Sequence, residues 1–386
     1  MVQQRRVTVA VVGAGAIGLA AALQLRRAGV NGVTVIDRNP SPGMGSTGRA
    51  NGGVRAQFTT PINIEFSRYT IPALAALDRQ SGGQVGYRPV GYLFMAGTDA
   101  TADALRRACE LQHSLGVDVT MVSQRRVLEL APFVRTEGIL AATYCSSDGI
   151  VDPHGVTAAL RSAADDAGVT WLFGAGVTGI DAGSRGATVR CGSTHVVADF
   201  VVNAAGPDAR QVASLAGVDL PVTAYRRNLA CTEAVAGLPE RLPMCVDADT
   251  GLLIRREAGG VLIGFSDPAD PPCTDDTFDP GFLVAVATRA GNRFPFLESV
   301  SVDSRKCWAG LYPETTDHHA IVDAPREAPW FVQCAGFGGH GIMHCLAAGQ
   351  AVAETIRDGS CTTFDLRPLR LNRFGGVAPI METAVL

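Results

Sequence analysis

Gly13, Gly15 and Gly18 follow the apolar residues 7–12 in the order Gly-x-Gly-x-x-Gly, and Asp37 closes a second apolar run at 33–36. Each of these residue types has a task in holding a dinucleotide. The first glycine permits a tight turn, the second lets the backbone approach a pyrophosphate, and the third lets the following helix pack closely. The helix start offers unpaired N–H groups and the positive end of its dipole to the phosphates. An acid about 20 residues beyond the glycines can accept hydrogen bonds from a ribose. This stretch does not separate NAD from FAD. Residues 7–25 carry no charge and follow Arg5 and Arg6, a pattern that also fits a signal peptide or a membrane span. The glycine spacing, the want of a small-residue cleavage site and the run into a strand ending at Asp37 favour the nucleotide turn.

Two further glycine-rich stretches carry groups able to do chemistry. Residues 41–60 hold Ser46, Thr47, Arg49, Asn51, Gly52, Gly53 and Arg55, a mixture that suits a path along phosphates. Residues 336–341 hold Gly336, Gly338, Gly339, His340 and Gly341, between an expected strand and an expected helix whose N-terminus can face a ligand. His340 and His344 are spaced like two zinc ligands on one helical face. Gly341 stands where a hydrolytic His-Glu-x-x-His motif needs its glutamate, so no metal site is expected. His318 and His319 read as a surface or domain-junction turn. Lysine occurs once, as Lys306, so any step requiring a lysine has one candidate.

The elements that must position these residues follow from periodicity. Residues 1–40 form a βαβ unit, and helices are expected at 61–80, 99–116, 155–167, 279–291 and 342–357. Strand-like runs occupy 87–96, 169–181, 186–202 and 330–334. Short alternating runs at 222–233, 252–256, 260–265 and 300–309, broken by Pro- and Asp-rich turns, point to an antiparallel sheet. The expected fold is therefore α/β with an α+β insertion. A Rossmann-type nucleotide-binding domain is drawn from 1–80, 145–220 and 308–386, and an antiparallel-sheet substrate domain from 81–144 and 221–307. The 386 residues leave room for two cores. A net charge of −4 and the lack of a basic block argue against nucleic acid as a partner. The 10 cysteines form no Cys-x-x-Cys pair and read as reduced thiols in a cytoplasmic protein without a membrane span.

Several motifs in this order, Val-Gly-Ala-Gly-Ala-Ile-Gly (12–18), Gly-Ser-Thr-Gly-Arg (45–49), Val-Asn-Ala-Ala-Gly-Pro (202–207), Trp-Ala-Gly-Leu-Tyr-Pro (308–313) and Gly-Phe-Gly-Gly-His-Gly (336–341), make the chain similar to the FAD-dependent amino-acid oxidase family. That family includes D-amino-acid oxidase, glycine oxidase, sarcosine oxidase and the catalytic β subunits of bacterial proline and sarcosine dehydrogenases; the likeness is strongest to the sarcosine and proline dehydrogenase β-subunit branch. The resemblance implies a Rossmann-type FAD-binding domain and oxidation of a C–N bond beside a carboxylate. It places Gly13, Gly15, Ala16, Ile17 and Gly18 at the pyrophosphate, with Asp37 and Arg38 at the adenosine ribose. Ser46, Thr47, Arg49, Asn51, Gly52 and Gly53 would follow the pyrophosphate and flavin edge. Val177 would offer backbone to the adenine, and Ala204, Ala205 and Gly206 would pack near the phosphates. Gly310, Gly336, Gly338, Gly339, His340, Gly341 and Ile342 would line the flavin.

Departures from the family pattern bear on the chemistry. Gly310 stands where the monomeric sarcosine oxidases carry a flavin-linked cysteine, so FAD is expected to be non-covalent, with Cys307 a packed thiol. The two lysines those enzymes use map to Leu262–Ile263 and Met343, which implies slow use of oxygen unless Lys306 substitutes. Tyr312 stands where glycine oxidase grips its substrate carboxylate with an arginine. The resemblance makes Arg55, whose place after Gly-Gly-Val matches a carboxylate-binding arginine in the sarcosine enzymes, the first candidate for that grip, Arg255 the second and Arg226 the third, with His340 at the flavin or the substrate amine. The expected reaction is hydride transfer from an amine or amino acid to the flavin, with protein supplying binding and field. Oxygen, a quinone or a partner subunit would take the electrons. The alternatives are an NAD-type dehydrogenase, a flavin hydroxylase, and a non-catalytic or electron-transferring FAD subunit of a larger complex.

Overall fold

Valine recurs through 7–12, 33–36 and 196–202, and these runs become neighbouring strands buried along 9–12, 33–36 and 201–202. In the computed structural model, which describes residues 3–376 and 380–384, Gln3–Val12 lies between Thr194–Asn203 and Val33–Ile36, parallel to both. Phe331–Ala335 extends this sheet in parallel beyond Thr194–Asn203, and Thr170–Leu172 extends it beyond Val33–Ile36. The antiparallel strands Gly179–Ala182 and Ala187–Cys191 and the edge strand Ile321–Asp323 complete it.

The helix Ala16–Arg27 leaves the carboxyl end of Gln3–Val12, and the helix Gly341–Asp358 leaves that of Phe331–Ala335. Because the two strands run the same way, both helices begin at one edge of the sheet. They also cross closely. A Cβ on Gly349 would lie 2.6 Å from the carbonyl oxygen of Ala20, so only glycine permits the approach. Leu19, Leu23, Ala347, Ala348 and Val352 are buried there with the helices Pro61–Gln80 and Pro153–Asp166 in one core.

A second sheet runs in the order Trp308–Glu314, Thr223–Cys231, Gly260–Gly264, Leu253–Glu257, Met244–Asp247, Tyr92–Ala96, Ala141–Cys145, Val119–Met121. Its pairings are antiparallel except between Met244–Asp247 and Tyr92–Ala96. The helices Gln124–Leu130 and Gly281–Arg293 cover it through Val127, Phe282 and Val286.

Three expectations shift. The strand expected at 300–309 is Trp308–Glu314, while Ser304–Lys306 is a 3₁₀ turn. That strand lies on the nucleotide-binding side of the boundary placed at 308, yet its partner is Thr223–Cys231 of the second sheet. The run expected at 169–181 is two strands separated by the loop 173–178. Met244–Asp247 went unnoticed because all four residues are buried, which leaves no alternation to read. No helix among the described residues is long and apolar enough to cross a membrane.

Candidate cofactor and substrate site

At the first helix tip, Gly13 has φ +108°, and a Cβ there would stand 2.2 Å from the carbonyl oxygen of Ala204. A Cβ on Gly18 would stand 1.9 Å from the carbonyl oxygen of Gly13, so this glycine is required by the turn itself. Beside Gly15 such an atom would meet only the Thr47 hydroxyl, at 3.1 Å. The start of Ala16–Arg27 follows Gly15, which has no side chain to cap it, and has no acid in its first turn. The Asp37 carboxylate accepts the N–H groups of Ala14 and Asn39, both at 2.7 Å, which fixes the acid against the turn. The Ala175 N–H donates to the Asp37 carbonyl, so the loop carrying Val177 meets the same strand end. Ala204 donates to the Val12 carbonyl, Ala205 to the buried Asn203 side chain at 3.3 Å, and Gly206 takes φ +57°. Arg38 is paired with Asp208 at 2.8 Å.

The loop after this unit is stitched to both sheets. The Thr47 hydroxyl accepts the Ala16 N–H at 3.0 Å, and Ser46 donates to the Leu311 carbonyl at 2.6 Å. Arg49 donates to the Ala309 carbonyl at 3.1 Å and pairs with Asp276 at 3.0 Å, so it is not a free cation waiting for phosphate. Gly310 lies against it, with room for a Cβ only 3.0 Å from that of Arg49. Asn51 accepts the Gly53 N–H at 2.7 Å, and Gly52, at φ +75°, abuts the Val151 carbonyl. A Cβ on Gly53 would strike the Tyr92 hydroxyl.

The second helix tip gathers the substrate candidates. Gly336 and Gly338 have φ +75° and +49°, and a Cβ on Gly339 would lie 2.6 Å from the Tyr312 ring. The helix beginning at Gly341, with Ile342 buried behind it, has no side-chain cap and no acid in its first turn. His340 is buried edge-on to Phe58, with ring centroids 4.9 Å apart. The Arg55 guanidinium lies 3.9 Å from the centre of the same Phe58 ring. Arg55 is only 1% exposed, and it donates to the carbonyls of Gln57 and Ala384. Burial pulls its pKa down, opposed through space by Tyr92, Glu382 and Asp148, and an arginine remains charged regardless. Burial, reinforced by the Arg55 charge, holds His340 well below its ordinary range, so the ring is neutral at neutral pH. Burial also raises the Tyr312 and Tyr92 hydroxyls, which keeps both phenols protonated.

Other predicted residues lie elsewhere or are already engaged. Arg255 donates to the Asn51 carbonyl at 2.7 Å and is paired with Glu257, so it braces the loop and is not a free carboxylate anchor. It lines a cavity of about 690 Å³ together with Arg49, His154 and Trp308. Arg226 is held by Asp275 and Asp279. Lys306 is largely exposed and pairs with Asp303 at 3.3 Å. The Cys307 thiol donates to the Asp303 carbonyl at 3.4 Å. His319 corrects the surface-turn expectation: it is 2% exposed, with its Nε2 3.0 Å from the Thr60 hydroxyl. His344 faces Ser67 at 3.1 Å. Phe58, Asp148 and Glu382 escaped sequence reasoning; Phe58 sits three residues beyond Arg55, the one signal that could have marked it.

Two helix starts at the carboxyl end of one sheet, neither with an acid in its first turn, a glycine cradle that a Cβ would fill and a carboxylate beside the turn fit FAD. A family model described as FAD dependent oxidoreductase matches residues 8–355, and the chain belongs to that family. It is thus an FAD-dependent enzyme with the Rossmann-type and antiparallel-sheet architecture read from the sequence. The Xenopus laevis FAD-dependent oxidoreductase domain-containing protein 1 is 28% identical over 429 residues, covering 99% of this chain and 85% of that protein. Among solved structures, the L-proline dehydrogenase of P. horikoshii shares the fold at a TM-score of 0.88 and 24% identity, over 96% of this chain and 98% of the other. The glycine oxidase of Geobacillus kaustophilus gives 0.83 at 26% identity, over 96% and 100%.

Proposed function

We propose that the enzyme oxidises the C–N bond of an amino acid or secondary amine, of the sarcosine, glycine or proline kind or a biosynthetic relative, to an imine. The observation that carries this reading is Arg55, a buried cation whose protein acceptors among the described residues are uncharged carbonyls, set beside the second helix tip. A desolvated guanidinium in that state is suited to a substrate carboxylate, which it can bind through two parallel hydrogen bonds. The similar sarcosine dehydrogenase of Mus musculus and the glycine oxidase above, named for such substrates, support the assignment.

FAD bound at the two helix tips would supply the hydride acceptor, and the chain's own residues would supply position and field. Arg55 orients the acid. Phe58 and the neutral His340 and Tyr312 wall the site without adding charge. A fixed cation in dry surroundings disfavours an ammonium, so the substrate nitrogen is held neutral with its lone pair free. Gly310 offers no thiol to the flavin, which supports dissociable FAD. Leu262, Ile263 and Met343 are buried apolar residues, and Lys306 faces solvent, which supports a quinone or a partner subunit over oxygen as acceptor. The cofactor domain is assigned to 1–80, 145–220 and the C-terminal part, and the substrate domain to 81–144 and 221–307. The pairing of Trp308–Glu314 favours setting the last boundary after that strand.

Anaerobic mixing of the holoenzyme with sarcosine, glycine, proline and their decarboxylated counterparts tests the proposal. Bleaching of the flavin by at least one acid, and not by its neutral counterpart, is expected. Photoreducible flavin that no amine or amino acid bleaches would instead mark an electron-transferring or assembly subunit.

A further inference from the structure

Residues 380–384 return to the buried Arg55. Glu382 is fully buried. Its carboxylate accepts the Thr59 N–H at 3.0 Å, the Thr60 hydroxyl at 2.7 Å, the Asn63 amide at 3.0 Å and the Ala384 N–H at 2.9 Å, as well as the Thr59 hydroxyl. Burial alone would raise its pKa, but these donors hold it below the ordinary glutamate range, so it stays ionised. Its own N–H donates to the Asp317 carbonyl at 3.1 Å. On either side the attachment is slight. Ile380 is 74% and Met381 44% exposed, and among the described residues Thr383 hydrogen-bonds the Thr59 hydroxyl alone, at 3.1 and 3.2 Å. One residue further on, the Ala384 carbonyl accepts from the Arg55 guanidinium.

We infer that residues 380–384 form a strap that competes with acidic ligands for Arg55. Glu382 is the fixed anchor, and the Ala384 carbonyl holds the place of one carboxylate oxygen. This rests on the assignment of Arg55 as the substrate-carboxylate anchor. The Arg55–carbonyl bond is already charge-assisted, but a carboxylate adds the opposite charge and can accept two parallel hydrogen bonds from the guanidinium. A carboxylate therefore displaces the carbonyl from the guanidinium, whereas a neutral amine has nothing to exchange for it. Little apolar surface is uncovered when Thr383 and Ala384 swing away, so the exchange does not disturb the core. The strap thus tempers acid binding: in its absence, acids bind more tightly and neutral analogues are unaffected.

The test uses the FAD-loaded full chain, benzoate as a non-reacting carboxylate and benzamide as its neutral counterpart. Binding is followed by the flavin spectrum, and the strap by hydrogen–deuterium exchange of the C-terminal peptide. Benzoate is expected to speed exchange at Thr383 and Ala384, and benzamide to leave it unchanged. Glu382→Ala is expected to tighten benzoate roughly tenfold, the equivalent of removing one competing hydrogen bond to a charged group. If benzoate binds the parent protein while slowing or not altering strap exchange, the competition is overturned, and the exchange experiment stands without any variant. Arg55→Gln separates the two claims. Undiminished benzoate binding in that variant overturns the anchor itself. Lost binding in the variant, with unmoved exchange in the parent, leaves the anchor standing and removes only the competing strap.

Discussion

Behind Arg55 lies Asp148, fully buried, which accepts the Ala56 N–H at 2.8 Å and the Gln57 amide at 3.0 Å. Burial pushes its carboxyl up to about 6, against these bonds and the Arg55 charge. The folded pKa is thus above the unfolded value of about 3.9. The group's contribution to stability is fully present below the unfolded pKa and is lost as pH rises through about 6. Asp148→Asn keeps an acceptor for Ala56 but sets an amide donor against Gln57. Denaturant unfolding should show the variant less stable by about 1–3 kcal/mol near pH 4, with a flatter decline toward about pH 7. A decline identical to the parent's would assign that pH dependence to another group. Single residues were legible in the sequence where backbone geometry demands them, as at Gly13 and Gly18, and where a position matched the pattern of similar enzymes, as at Arg55 after Gly-Gly-Val. Asp148 and Glu382 were not legible, because their partners are 92 and up to 323 residues away.

The two helices that begin at the glycine turns carry the site, and their crossing sets its dimensions. Gly349→Val would drive side-chain atoms into the Ala20 carbonyl and part the helices, at a cost of about 1–3 kcal/mol. A lowered melting temperature and reduced FAD content in the purified variant are expected; unchanged FAD content would mean the second helix tip does not contribute to cofactor binding. Gly18→Ala meets an even closer atom, the Gly13 carbonyl oxygen at 1.9 Å, and should purify largely without yellow colour. At this scale the long helices were readable because periodicity repeats over several turns, as in Pro61–Gln80 and Gly341–Asp358. The strand Trp308–Glu314 was misplaced because the alternating residues before it form a 3₁₀ turn, which period-two reading cannot tell from a strand.

Across the whole molecule, the loop 46–55 joins the nucleotide-binding sheet to the largely antiparallel sheet, through Thr47 to Ala16 on one side and Ser46 to Leu311, Arg49 to Ala309 and Arg255 to Asn51 on the other. Cofactor and substrate candidates therefore meet at the seam between the sheets, an arrangement that pockets commonly exploit. Sequence motifs placed both helix tips because each is a local strand–turn–helix unit. They could not show that the C-terminal residues return to Arg55, since an extended segment has no periodic signature. Electron exit is also a property of the whole. The one lysine lies outside the seam, so reduced holoenzyme should reoxidise slowly in air, and Lys306→Met should leave that rate unchanged. A fall in the rate on that substitution would return Lys306 to the flavin.

The account turns on Arg55 as the acid-binding group above bound FAD. Anaerobic rapid mixing of the parent and Arg55→Gln with the best bleaching acid measures flavin reduction against substrate concentration. The account predicts unchanged FAD content and a half-saturating concentration raised about 10²- to 10³-fold, the loss expected when one side of a buried charged pair is removed. Equal loss of FAD and substrate, or an unshifted saturation curve, would contradict it.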